Sequence, residues 1–424
     1  MSETPDPLDA FRQFAALERG VLVVSVAMFA FSLAFQMTSR YVPEYLTVLG
    51  ASAGVVGLYG SLGNLVSAVY PYPGGRLSDR VGSRRALTVF GALSTLGFLV
   101  WWAAPALATP ALPAWLWIFA GLFLTQAWKS LGLGATFAIV KQSVTQDRLA
   151  TGFASTETFR RVGFLLGPLL AAGILAVSVD FAVGFRWVLL VAVAFALLAT
   201  LGQHWLYDAS QDSLGKTFSG IASVRADLRG LPSELRPLLV ADTLVRFANG
   251  MVYVFFVLVV TDLRDLSFAG FGVILGPAAF FGVLLAVEMA VALLSMLPVA
   301  RLADRVGLKP VVALGFAVYA VFPAVLILAP ADQWVFVALF AFSGLRFAGL
   351  PAHKALIVGP AARDEGGSTT GAYYLVRNVV VIPSALLGGL LYDHSPVLAF
   401  TLASGVGVLG VLYFLARGER FHPE

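Results

Sequence analysis

Six cationic side chains, Lys129, Arg160, Arg161, Arg246, Arg346 and Arg377, fall within stretches that are otherwise apolar. Three acids share that setting: Glu157, Asp242 and Glu288. An ionisable residue inside an apolar run is expensive to keep there and marks a place where ions, protons or substrate are handled. Lys129 stands in Trp128-Lys129-Ser130-Leu131-Gly132-Leu133-Gly134, and Arg346 in Leu345-Arg346-Phe347-Ala348-Gly349-Leu350-Pro351. Both read as a cation followed by x-x-Gly-x and then Gly or Pro, as if two related cations faced one central cavity and could clamp a carboxylate. Trp128, Asn249, Tyr373 with Tyr374, and Arg377 join them as candidate cavity residues.

The acids divide by their neighbours. Asp242 and Arg246 are four apart, and Glu157 lies three and four before Arg160 and Arg161, spacings that pair side chains on one helix face. Arg40 and Glu44 show the same spacing near the end of the first apolar run. Glu288 has no cation at three or four residues on either side. An acid in apolar surroundings without a partner disfavours its charged form, so Glu288 is the leading proton-coupling candidate, followed by Asp242 and Glu157. The excess of embedded cations over acids points to an anionic or carboxylate-bearing ligand, while 33 Phe, 8 Trp and 12 Tyr could line a cavity for lipophilic compounds.

These residues sit in a chain of 424 residues that is 59% hydrophobic and only 12% charged, with a mean hydropathy of +0.86. Soluble domains carry about 25% charged residues, so a soluble fold is excluded. Twelve runs approach the roughly 20 residues that cross a bilayer: 20–42, 53–75, 86–105, 114–139, 151–177, 184–206, 237–261, 271–298, 310–330, 333–357, 370–391 and 396–416. Gly167-Pro168, Gly276-Pro277, Pro323 and Pro383 fall inside them, as lipid-embedded helices tolerate. The acidic, polar start lacks the basic region of a cleaved signal peptide, so the first run is expected to remain as a span.

A charged segment occurs twice. Leu77-Ser78-Asp79-Arg80-Val81-Gly82-Ser83-Arg84 returns as Leu302-Ala303-Asp304-Arg305-Val306-Gly307-Leu308-Lys309, each between two apolar runs. The repeat implies two homologous six-helix halves, 1–206 and 237–424, joined by a polar linker at 207–236. Of the 28 Lys and Arg, 19 lie in the two termini, the loops near 76–85, 141–148, 301–309 and 354–363, and the linker, whereas the opposite loops hold only Arg186 and Arg264. The positive-inside rule therefore places both termini and the repeated loops in the cytoplasm, in a multi-pass protein of the cytoplasmic (inner) membrane. The same bias explains a net charge of +4 without a nucleic-acid partner.

With these features the chain resembles the major facilitator superfamily, whose signature reads roughly Gly-x-Leu-Ala-Asp-Arg-x-Gly-Arg-Lys between the second and third helices. Gly75, Leu77, Asp79, Arg80, Gly82 and Arg84 carry the match; Ser83 departs from it. Asp304, Arg305 and Gly307 carry the second copy, with Ala300 in place of its first Gly. The resemblance implies twelve transmembrane helices, alternating access, and a latch in these loops that stabilises the outward-facing state. Gly163 and Gly167-Pro168 also resemble part of a fifth-helix pattern of proton antiporters, although Ala171-Ala172 replace its last two glycines and Ala154 an upstream one.

The expected protein is thus an all-α membrane protein of twelve helices in two pseudo-symmetric halves. The leading expectation is a proton-coupled secondary transporter exporting a small organic molecule by antiport; the competing one is proton-coupled uptake of a small organic anion. A single copy in the lipid bilayer, with no cofactor and no metal, meets both. The chain has no Cys, which removes thiolate chemistry, and His204, His353, His394 and His422 are scattered, so neither a metal site nor a membrane enzyme is expected.

Overall fold

The computed structural model describes residues 19–132, 134–136, 139–140, 149–208, 232–358 and 366–418. They form α1 (Arg19–Thr38), α2 (Val42–Val48), α3 (Ala53–Val69), α4 (Pro71–Val81), α5 (Ser83–Leu107), α6 (Ala114–Gln126), α7 (Leu149–Ala176) and α8 (Phe181–Leu206). After these come α9 (Arg236–Val252), a hairpin of β1 (Phe268–Gly270) and β2 (Val273–Leu275), α10 (Pro277–Val306), α11 (Leu308–Leu328), α12 (Gln333–Gly344), α13 (Leu350–Val358), α14 (Gly366–Val381), α15 (Ser384–His394) and α16 (Pro396–Arg417). Ten helical stretches among the described residues are long and apolar enough to cross a membrane, and the bent pair α3–α4 makes an eleventh. The expected span at 114–139 is interrupted: α6 runs into a π-helical turn at Ala127–Leu131, and residues 133, 137 and 138 lie outside the described set. Leu198, Leu294 and Leu409 are more than half exposed, as outward-facing residues of a lipid-embedded bundle are.

One expected boundary is corrected. The apolar run at 271–298 does not begin as helix, because Phe268–Gly270 pairs antiparallel with Val273–Leu275. The turn places Phe271 and Gly272 at φ 52° and 76°, the left-handed geometry of tight hairpins. Gly276-Pro277 is consequently a helix start, with Pro in the first turn of α10, where its missing N–H costs nothing.

The repeated segment has one local structure in both copies. α4 and α10 end at Val81 and Val306, Gly82 and Gly307 both adopt φ 87°, and α5 and α11 begin at the next residue. Only glycine takes that conformation without strain. Beyond the turn, Arg84 donates Nε to the His204 carbonyl at the end of α8 (2.6 Å). At the equivalent repeat position, Lys309 donates Nζ to the carbonyls of Leu415 and Gly418 at the end of α16 (3.0 and 2.6 Å).

By internal contact the described residues group into two units. One holds 19–39, 69–170 and 185–208, and the other 40–68, 171–184 and 232–418, omitting undescribed positions. The division follows the repeat except at 40–68 and 171–184. Small residues bind α3 into the second unit: a Cβ on Gly57 would strike the Ala385 carbonyl and one on Gly389 the Ala53 carbonyl. Asp393 closes that seam, its carboxylate accepting the Ala53 and Gly54 N–H groups at 2.9 and 2.7 Å. Leu238, Val245, Phe316, Tyr319, Tyr373 and Phe414 belong to one cluster of buried side chains in this unit.

Candidate functional site: two buried ion clusters

Glu288, on α10, is 2% exposed and is not alone. Arg346 donates Nη2 to its Oε1 at 2.6 Å, and Ser343 donates its hydroxyl to the same oxygen at 2.5 Å. Arg40 lies 3.7 Å from Oε2. The absence of a local partner, on which the proton-coupling expectation rests, is therefore made good by residues 55 and 58 positions later and by Arg40 from the first span. A close approach makes the contact possible. Gly344 sits so near α10 that a Cβ would strike the Glu288 carbonyl, which brings the short 3-10 turn Leu345–Phe347 over the acid.

Arg346 is 2% exposed and held in a ring of aromatic faces. Phe347, Tyr319, Tyr253, Phe322 and Phe256 have centroids 4.7 to 5.9 Å from its guanidinium carbon. Its Nη1 donates to Asn249 Oδ1 at 3.4 Å, while Nε has no hydrogen-bond partner. Arg40 lies over the Tyr253 ring at 4.0 Å.

Asp242, on α9 and fully buried, centres a second cluster. Arg246 reaches Oδ1 at 3.3 Å across one helical turn, as its spacing predicts, and Arg377 reaches Oδ2 at 3.1 Å. The Tyr373 hydroxyl donates to Oδ2 at 3.2 Å, and His353 Nε2 lies 3.3 Å from it. Nothing in the local sequence around His353 marks it, because its partner is 111 residues away on another helix. Arg246 also donates to the Tyr319 hydroxyl at 2.9 Å, and a small cavity lined by Arg246, Tyr319, Arg346 and His353 lies between the clusters. Tyr319, unmarked in the sequence, touches both. Four guanidiniums therefore face two carboxylates, an excess of two positive charges in surroundings where charge is poorly solvated.

In the first unit the π-helical turn carries Trp128 and Lys129. Trp128 stacks on Phe31 at 4.2 Å and donates to Gln203 at 3.2 Å; its backbone N–H is taken by Ser94 at 2.8 Å. Gly74 permits this packing, since a Cβ there would collide with the Leu131 backbone. Lys129 is exposed, with Nζ 5.7 Å from the Phe35 ring centroid. Glu157 is bound by Arg160 (2.7 and 2.9 Å) and by Arg161 at 3.0 Å, all on the partly exposed face of α7. Gly163 and Gly167 pack on α1, where a Cβ would press on Ser32 and Gln36. Asp79 and Arg80 make no ion pair among the described residues, and the Asp304 side chain lies outside the described set.

A lipid-exposed helical bundle with charges buried between its helices is the plan of a membrane transporter. The chain belongs to the Major Facilitator Superfamily, whose model matches residues 24–287 and 238–424. It is 23% identical over 403 residues to an uncharacterized MFS-type transporter of Methanocaldococcus jannaschii, covering 94% of this chain and 95% of the relative. A putative MFS-type transporter of Mycobacterium tuberculosis is 28% identical over 220 residues, 52% of this chain and 49% of that one. Solved structures with the same fold include the nucleoside transporter NupG (TM-score 0.74, 13% identity, 95% of this chain and 100% of that one). Another is a peptide transporter POT in complex with sulfate (TM-score 0.71, 15% identity, 97% and 98%). The expected fold and the assignment to transport rather than catalysis hold.

Proposed function

We propose that this transporter carries a small organic anion, with an acidic group on an apolar body, together with protons. The observation that supports this reading is the Arg346–Glu288 pair at 2.6 Å, flanked by Arg40. An incoming carboxylate or phosphonate takes the place that Glu288 occupies on the guanidinium, and the aromatic ring around Arg346 receives its apolar part. Asn249 orients the guanidinium, and Arg377 and Tyr373, paired with Asp242, hold the neighbouring cluster in register.

The reading also carries a sign of coupling. Ionised Glu288 competes with the anion for Arg346, whereas a protonated Glu288 leaves the guanidinium to the substrate. Proton and anion thus favour each other's binding, which is the logic of co-transport. In antiport the two exclude one another, so this reading favours uptake over the export that the resemblance at Gly163 and Gly167-Pro168 suggests. In this reading Asp242 and Glu157 serve as structural counter-ions. Lysine and arginine placement supports termini in the cytoplasm and residence in the inner membrane, with Asp79, Arg80, Gly82, Arg84, Asp304, Arg305 and Gly307 as the conformational latch.

The test is thermal stabilisation of the purified protein by benzoate, lactate and methylphosphonate, against uncharged sugars and lipophilic cations. Stabilisation by an anion, lost in Arg346→Gln, is the expected result. Stabilisation by lipophilic cations alone overturns the reading.

A further inference from the structure

The cavity between the two ion clusters is shaped by two glycines. Gly349, just before α13, lies so close to α11 that a Cβ would press on the Val311 carbonyl at 3.0 Å. Gly315, one turn further along α11, has the opposite surroundings: a Cβ there would meet only the Arg346 carbonyl, at 3.4 Å. The backbones are drawn together at one glycine, and a gap is left at the other. Tyr319, one turn after Gly315 on the same helix face, lines that gap with Arg246, Arg346 and His353. It has room on the order of a single water molecule or monatomic ion.

The gap collects donors rather than acceptors. Arg346 is buried, and its Nε donates to nothing. The Tyr319 hydroxyl accepts from Arg246 at 2.9 Å and so keeps its own proton to give. His353 Nε2 lies 3.3 Å from Asp242 Oδ2 but makes no hydrogen bond. Around these donors four guanidiniums are set against two carboxylates. Buried donors without acceptors are costly, and buried positive charge without compensation costs more. A water molecule answers a donor but leaves the charge, whereas an anion answers both. The gap is too small for an organic anion. We propose that this cavity is a binding site for a monatomic anion, chloride, held among Arg346, Arg246, Tyr319 and His353. The ion offsets one of the two excess positive charges and joins the clusters through a shared counter-ion.

The test contains no organic anion and does not depend on transport, so this proposal and the substrate reading above can fail separately. The full chain is purified in detergent and its unfolding temperature is followed as sodium chloride is added, with sodium sulfate as the ionic-strength control. The expected result is a saturable rise that sulfate does not reproduce. Gly315→Ala puts a methyl group in the ion's space without removing an ion-pairing side chain, and is expected to abolish the rise. Tyr319→Phe removes one donor and is expected to weaken it, and decides the matter if Gly315→Ala does not fold. Crystals grown in sodium bromide are expected to show anomalous density among Arg346, Tyr319 and His353. No saturable chloride response in the wild type, a response unchanged in both variants, or a cavity without bromide density overturns the proposal.

Discussion

Arg40 lies 3.7 Å from Glu288, 248 residues away in sequence, rather than on Glu44 one helical turn further along. This exchange of partners reorganises the acids of the protein. Glu288, isolated in the sequence, joins Arg346 and Arg40 in a three-membered ion cluster, and Glu44 is left buried with no ion pair among the described residues.

Asp242→Asn removes the one carboxylate that compensates both Arg246 and Arg377. Breaking a buried pair by deleting one partner costs about 3–5 kcal/mol, because the remaining charge is left uncompensated. The variant is expected to unfold at a markedly lower temperature in detergent. Adding Arg377→Gln should recover part of the loss, since it removes one of the orphaned charges.

Arg84→Gln and Lys309→Gln each remove a cationic cap from the end of a helix, α8 and α16 respectively. Each is expected to cost about 0.3–1 kcal/mol. The two caps act on different helix ends, so their effects should add. Thermal melts of the single and double variants measure this, and a double variant no worse than either single one would separate these residues from helix capping.

Gly344→Ala places a methyl group against the Glu288 carbonyl. The turn that carries Arg346 has to lift, lengthening the 2.6 Å pair. Weaker anion binding is expected with the helical content retained, read by ligand-induced thermal shift and circular dichroism.

Asp393→Ala deletes both acceptors that cap the start of α3. Loss of an N-cap of this kind costs about 0.5–2 kcal/mol, and faster hydrogen exchange at the Ala53 and Gly54 amides is the measurement.

Much of the frame is legible in the sequence because its causes are local or periodic. Apolar length marks the spans, and the repeated Asp-Arg-Val-Gly marks equivalent turns, with Gly82 and Gly307 needed for their left-handed backbone. Asp242–Arg246 and Glu157–Arg160 follow from helical spacing alone. What escapes depends on distant contacts. Arg346 finds Glu288, His353 finds Asp242, and Tyr319 touches two clusters, each across helices whose rotation no local pattern specifies. The hairpin at 268–275 is apolar enough to pass for the start of a span, and only its Phe271-Gly272 turn and the following Gly-Pro distinguish it. The π-helical turn under Lys129 leaves no mark in residue type.

The central claim is that the substrate anion displaces Glu288 from Arg346 and that Glu288 then takes a proton. The measurement is the affinity of the purified protein for a stabilising anion, across a pH series, in wild type and in Glu288→Gln. If one proton is taken up with each anion, wild-type affinity rises as pH falls, by up to about tenfold per pH unit, while Glu288→Gln binds with little dependence on pH. Wild-type affinity that is independent of pH, or that falls on acidification, contradicts the account.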